Sequence, residues 1–249
     1  MTRAWCGCRV AFAQCAESLS EKRRSKMKYI KIKTAIFVAI AVAALFAAAL
    51  AVCMAAEQEE EAVNPSELGE TYIGDIVADA MRAALKADAA LVQGGALGYS
   101  DLPDKISEKT VADIVPFSSD LVVTVQLKGA ALSRILEKGC ALLPRRSSAF
   151  LQVSGVTFTC DLNKAVGKRV SSVKIGGKPL DPAKNYIVAA TEFLSSGGGG
   201  MKEFRDGKVV GGDGVPIGDI VLDNARYDKK KTDSPEGRIT VIPVEEKEK

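Results

Sequence analysis

The chain has 249 residues, with 34 Lys/Arg against 31 Asp/Glu and no histidine. The missing imidazole excludes Ser-His-Asp and Cys-His nucleophilic systems, imidazole acid–base work and His-containing zinc sites. Residues 1–33 hold nine basic and two acidic side chains, whereas residues 57–249 hold 25 basic and 29 acidic ones, which argues against nucleic-acid binding driven by phosphate neutralisation.

Residues 1–26 read as a basic extension or an upstream mis-chosen start, because Met27 opens a conventional signal by itself. Residues 27–56 read as a signal peptide or a membrane anchor. Lys28, Lys31 and Lys33 precede an apolar run over 35–56, and Cys53-Met54-Ala55 is a possible small-x-small cleavage site. The run also has the roughly 20 residues that span a bilayer. The expected location is therefore outside a bacterial-type plasma membrane, periplasmic or extracellular, or anchored to it by residues 35–56. Membrane contact is expected through this segment alone. Residues 57–65 form an acidic linker, 66–243 one domain large enough for a real core, and 244–249 a charged tail. Cys6, Cys8, Cys15 and Cys53 fall in or before the export segment. Cys140 and Cys160 remain, as a pair in an oxidising compartment or as two buried free thiols.

Within the domain, Ile73, Ile76, Val77, Ala80, Met81, Ala84 and Leu85 share one helical face, predicting a helix over 66–86. Ala89–Val92 is a short buried strand running into Gln93-Gly94-Gly95. A short helix over 107–115 stops at Pro116, and Leu121–Leu127 is a β-branched strand. A helix over 130–138 with Leu132, Ile135 and Leu136 inward stops at Gly139. Leu151–Cys160 alternates as one strand with a bulge at Gly155. Strands follow at 169–175 and 186–191, then a helix over 217–227 and a strand over 238–241. Helices and strands alternate at first and strands dominate later, which predicts a mixed α/β layered domain.

Three places invite a ligand. Gly197–Gly200 follows Phe193 by a few positions and permits positive φ and close backbone approach, so Gly197, Gly198 and Gly199 are candidate backbone contacts. The run lacks the Lys-Ser/Thr of a phosphate loop and the spacing of a dinucleotide fingerprint; alone it reads equally as a plain flexible loop. Phe193 and Phe117 both sit at element junctions. Each reads singly as core, but two loop aromatics facing each other would sandwich a planar ring. Gln93, Gly94 and Gly95 form the third place, with an ordinary turn as the alternative. No pair of carboxylates stands out as an acid–base site, and no catalytic or metal-ligating residue is assigned.

In combination, ETYIGDIVADAMR (70–82), ADAALVQGGAL (87–97), VADIVPFSSDLVVTVQLKGAAL (111–132), FLQVSGVTFTCD (150–161), KPLDPAKNYIVAATEFLSSGGGGM (178–201) and PEGRI (235–239) resemble the C-terminal domain of 5'-nucleotidases. The resemblance implies an α+β fold of four layers, α-β-β-α. In complete members this domain follows a metallophosphoesterase domain that holds two metals. Two Phe stack on the nucleotide base, and these map onto Phe117 and Phe193. Two Arg of the family's site fall on Gly98 and Gly69, an Asn falls on Gln93, and the Asp of a Gly-Gly-Asp-Gly motif falls on Gly199. What remains would favour an uncharged flat ligand, because the lost guanidinium–phosphate pairs are the strong ones. The resemblance thus implies a domain that recognises a nucleoside or nucleotide in nucleotide catabolism and is inactive by itself. No cofactor is expected in this chain, and divalent metals only if a separate metallophosphoesterase chain partners it. A stand-alone weak nucleoside-binding module, or a structural domain with a decayed site, is the alternative.

Overall fold

The computed structural model describes residues 42–43, 63–98, 103, 105–226 and 235–245. The chain divides into two units at Ala62/Val63, and everything below concerns the second. The readings placed on residues 1–41 and 44–62, namely the start, the signal or anchor and most of the linker, lie outside the described residues, as does most of the charged tail. Among the described residues no helix is long and apolar enough to cross a membrane.

Helix α1 spans Tyr72–Leu85. It begins later than its apolar spacing suggests because Thr71 is extended and its hydroxyl accepts the Gly74 N–H at 3.2 Å, capping the first turn. Residues Pro65–Glu67 form a separate 3-10 turn, capped by Asn64. Ile76, Val77, Ala80 and Met81 are buried, as their spacing requires. Strand β1 (Ala89–Gln93) follows, then the one-turn helix α2 (Val111–Ile114), β2 (Leu121–Lys128) and helix α3 (Gly129–Gly139).

The segment expected as one bulged strand is two strands in different sheets, β3 (Leu151–Ser154) and β4 (Val156–Asp161). Gly155 between them has φ +72° and lies so close to the Asp88 carbonyl that a Cβ would overlap it. The glycine marks a change of sheet, not a bulge within one. Next come β5 (Val170–Ile175), β6 (Lys178–Pro179) and β7 (Asn185–Thr191). The short helix α4 (Glu192–Ser195) leads into the glycine run, followed by β8 (Lys208–Pro216), helix α5 (Ile217–Asn224) and β9 (Ile239–Ile242).

The larger sheet has the order β3-β1-β7-β2-β8 and the smaller one β6-β5-β4-β9. In the larger sheet only β1 and β7 run parallel. Alternate residues of its central strands enter two cores. Leu91, Val125, Leu127 and Val188 pack with α3 residues Leu132, Ile135 and Leu136 and with Phe158 and Ile175 of the smaller sheet. On the other face, Ala90, Val92, Val122 and Ala189 pack with Val77 and Met81 of α1, Ile114 of α2 and Ile220 and Val221 of α5. The domain is thus mixed α+β, with helices on one face of the main sheet and α3 with the second sheet on the other.

Register brings the loops of interest together. Leu91 pairs with Ala190, Val122 with Thr191, Gln93 with Leu151 and Leu121 with Pro216. The exit of β1, the exit of β7, the entry of β2 and the entry of β3 therefore share one end of the sheet.

Candidate functional site

Phe117 and Phe193 stand at that shared end. Phe117 follows Pro116 in the turn before β2, where its carbonyl accepts the Asp120 N–H at 2.9 Å. Phe193 lies in α4 directly after β7, whose last residue, Thr191, caps α4 through the Leu194 N–H at 3.3 Å. Neither ring is core: Phe117 is 57% exposed and Phe193 48%. Their neighbours are anchored in different cores, Ile114 and Val115 in one and Leu194 and Met201 in the other. The two aromatics thus sit on segments packed against opposite faces of the sheet, at its shared end.

The glycine run is shaped by the second of these rings. A Cβ on Gly198 would overlap the Phe193 ring, so the ring lies directly on that backbone. Gly197 and Gly199 take φ of +92° and +61°, and the Gly197 N–H donates to the Leu194 carbonyl at 2.8 Å. The loop is held from outside by cations. Arg205 Nε donates to the Ser196 carbonyl at 2.8 Å, and Lys138 Nζ donates to the Gly200 carbonyl at 3.2 Å while pairing with Glu203 at 3.3 Å.

Gly94 and Gly95 serve the fold. Their N–H groups donate to the carbonyls of Phe150 (2.7 Å) and Ser148 (3.1 Å), so both donors are already used. A Cβ on Gly94 would overlap the Ser66 carbonyl, and one on Gly95 would stand 2.6 Å from Ser148 Cβ. Their smallness is required by close packing of the 64–67 and 147–150 segments. Gln93 differs: its Oε1 is buried and accepts no hydrogen bond, at the same sheet end as the two Phe. An orphaned buried acceptor wants a donor, a role that a ligand N–H or O–H could fill.

At the positions where the resemblance places two Arg, the structure shows opposite surroundings. Gly98 donates its N–H to the Ile114 carbonyl at 2.8 Å, and a Cβ there would overlap the Asp113 carbonyl. Gly69 has open space around it. A side chain at 98 is therefore incompatible with this packing, whereas one at 69 is not.

A polar cluster that residue spacing does not reveal lies remote from these loops. Arg238, 8% exposed, donates to the Val153 carbonyl (2.7 Å), to Asp79 (2.7 Å) and to Glu236 (2.8 Å). Its Nε lies 3.6 Å from Asp75 Oδ1, while Asp75 Oδ2 accepts the Glu236 N–H at 2.9 Å. The Glu70 carboxylate accepts the N–H groups of Arg238 (2.9 Å) and Ile239 (2.7 Å). Ser154 donates to Asp79 and accepts from Arg82 Nε at 2.6 Å. Burial pushes the Asp75 carboxyl up to about 7, against the opposing pull of the Glu236 N–H and the Arg238 guanidinium. The neighbouring carboxylates raise the pKa of Arg238 further despite its burial. The cluster ties α1, β3 and the start of β9 together. Its acidic groups are engaged by a guanidinium and by backbone donors.

The mixed α+β domain thus gathers two exposed aromatics, a glycine loop and an unsatisfied amide oxygen at one sheet end. Residues 49–206 match the family model described as 5'-nucleotidase, C-terminal domain, and the chain belongs to that family. It is 32% identical over 146 residues to the trifunctional nucleotide phosphoesterase protein YfkN of Bacillus subtilis, a match covering 55% of this chain and 10% of that protein. It is 34% identical over 134 residues to protein UshA of Yersinia enterocolitica, covering 53% of this chain and 22% of UshA. Among solved structures, the 5'-nucleotidase precursor of Thermus thermophilus superposes with a TM-score of 0.64 at 26% identity, covering 72% of this chain and 37% of that one. The matches thus span a tenth to about a fifth of these two curated relatives.

Proposed function

We propose that this domain recognises the nucleoside part of a nucleotide in nucleotide catabolism outside the cytoplasmic membrane, with hydrolysis carried out by a separate metallophosphoesterase chain. Phe117 and Phe193 hold the base between their rings. Gln93 accepts a hydrogen bond from it, and Gly197, Gly198 and Gly199 let it approach the backbone. The observation that carries the reading is the placement of two half-exposed Phe rings at one sheet end in a member of the 5'-nucleotidase C-terminal family. Export, by a cleaved signal or an anchor over 35–56, belongs to the same proposal and rests on the sequence pattern. So does the four-layer order α-β-β-α, supported by the helices on one face of the main sheet and the second sheet beyond the other.

This domain is expected to hold the base and sugar of its ligand and to add little affinity from the phosphate, because Gly98 has no room for the guanidinium that would pair it. Stacking is worth about 1–3 kcal/mol per base, so the affinity is expected to be weak once the cost of association is deducted. Titration calorimetry of the chain with adenosine, guanosine, cytidine and AMP tests this. Adenosine binding at least as tightly as AMP supports the reading. Tighter AMP binding, or no binding of any of them, overturns it.

A further inference from the structure

Cys140 caps the end of α3 and Cys160 lies in β4, the strand at the centre of the smaller sheet's contact with the core. Both belong to one apolar cluster, at 1% and 0% exposure. A chain of contacts through β5 brings them near each other. Cys160 is the register partner of Val170 on β5. The Val170 N–H and the neighbouring Arg169 N–H both donate to the Glu137 carboxylate of α3, at 2.9 and 3.0 Å. The Arg169 Nη1 group donates to the carbonyls of Cys140 (3.0 Å), Ala141 (3.2 Å) and Leu143 (2.7 Å). The end of α3 is thereby clamped over β5 beside Cys160, with the two thiols near enough to perturb each other's ionisation. Their interaction, with burial, pushes the Cys140 thiol up, and the same interaction brings the Cys160 thiol down.

We infer that Cys140 and Cys160 form a disulfide when the chain folds in an oxidising environment, stapling the C-terminal end of α3 to β4. Both are free thiols in the present structure. The oxidant is a small-molecule disulfide acting by exchange before the core closes. One cysteine sulfur displaces a thiol from the oxidant to give a mixed disulfide, and the other displaces the second thiol from it. One Sγ–Sγ bond forms, the oxidant's S–S bond breaks, and the two cysteine protons leave on the two thiols released. Bond formation brings the two sulfurs to about 2.05 Å. The reading is independent of the nucleoside site, which lies on other loops.

The test uses the full chain, denatured, reduced and refolded in mixed oxidised and reduced glutathione. Free thiols are then alkylated under denaturing conditions and the protein is digested for peptide mass spectrometry. The expected product is a peptide pair linked through Cys140 and Cys160, absent after refolding in reductant. The oxidised protein should melt on the order of 5–10 °C higher than the reduced one, a gap that disappears in Cys140→Ala/Cys160→Ala. If that variant does not fold, the comparison of oxidised with reduced wild type decides by itself. Recovery of both peptides alkylated from folded, oxidised protein, or linkage of either to Cys6, Cys8, Cys15 or Cys53 in their place, overturns the inference.

Discussion

Phe193 and Gly198 act as one unit at the residue scale. The ring rests on a backbone that has no Cβ, so the loop's composition and the ring's position are the same fact. Gly198→Ala must push the ring off its seat, because the added methyl occupies the ring's space. The expected outcome is a folded protein, with far-ultraviolet dichroism unchanged and adenosine affinity reduced at least as much as in Phe193→Ala. Phe117→Ala and Phe193→Ala are each expected to weaken adenosine by about 1–3 kcal/mol, the value of one stacked face. Stability should change by no more than about 1 kcal/mol, since both rings are half-exposed and leave no cavity. Urea denaturation beside calorimetry separates the two effects. A loss of several kcal/mol of stability with unchanged affinity would make these rings core residues and remove the site.

The connections between elements depend on motifs whose chemistry is structural. In LQVSG, Leu151 and Val153 fill the core, and Gln152 binds the Ser66 and Gly69 carbonyls at 2.9 and 2.7 Å. Ser154 reaches Asp79, and Gly155 turns the chain into the second sheet. The Tyr186 hydroxyl accepts the Asp181 N–H at 3.0 Å in LDPAKNY, and the Pro182 and Lys184 carbonyls, both at 2.9 Å, receive the first N–H groups of α3. Periodicity made α1 and α3 legible, because each buries one regular face, and apolar or β-branched runs marked β1, β2 and β7, which are buried on both faces. It missed β8, where Gly211 and Gly214 break the alternation, the pairing with β2 shifts register, and Val209, Val210 and Val215 remain exposed on the sheet edge. Side-chain periodicity also carries no record of the Arg238 cluster, whose members are 159 and 161 residues apart along the chain. That cluster makes the junction of α1 with the β9 segment sensitive to pH. Asp75 has a folded pKa of about 7 against an ordinary value of 3.8, so between those values the folded state holds a proton that the unfolded state has released. Its contribution is present in full below pH 4 and is lost as pH rises through 7. Wild type should therefore lose on the order of 2 kcal/mol between about pH 5 and 8 through this group. Asp75→Asn, which retains an acceptor for the Glu236 N–H and does not ionise, should show a flatter profile. Thermal melts across that range decide, and parallel profiles would assign the sensitivity elsewhere.

For the whole molecule, the proposed function separates recognition from catalysis. Two-metal phosphoester hydrolysis needs a set of bridging and terminal ligands in fixed geometry. These 249 residues contain no histidine, and the acidic cluster of the domain is neutralised by Arg238. The purified chain is therefore expected to release no phosphate from AMP above the buffer rate with Mg²⁺, Mn²⁺ or Zn²⁺ present. In the proposed division of labour, a second polypeptide brings the metals to the ester while this one holds the base. Base binding at a distance from the reacting phosphorus lowers the barrier by orientation, an effect that appears in kcat/KM. Adding an exported metallophosphoesterase domain that lacks its own C-terminal domain should yield AMP hydrolysis dependent on both proteins. Phe117→Ala and Phe193→Ala in this chain should each reduce kcat/KM by roughly 5- to 150-fold, the rate equivalent of one stacked face. Metal-dependent hydrolysis by the chain alone, surviving further purification, would show that catalytic ligands exist within it and would end the division of labour. Activity of the pair that ignores both Phe substitutions would leave the association intact but move base recognition to another surface.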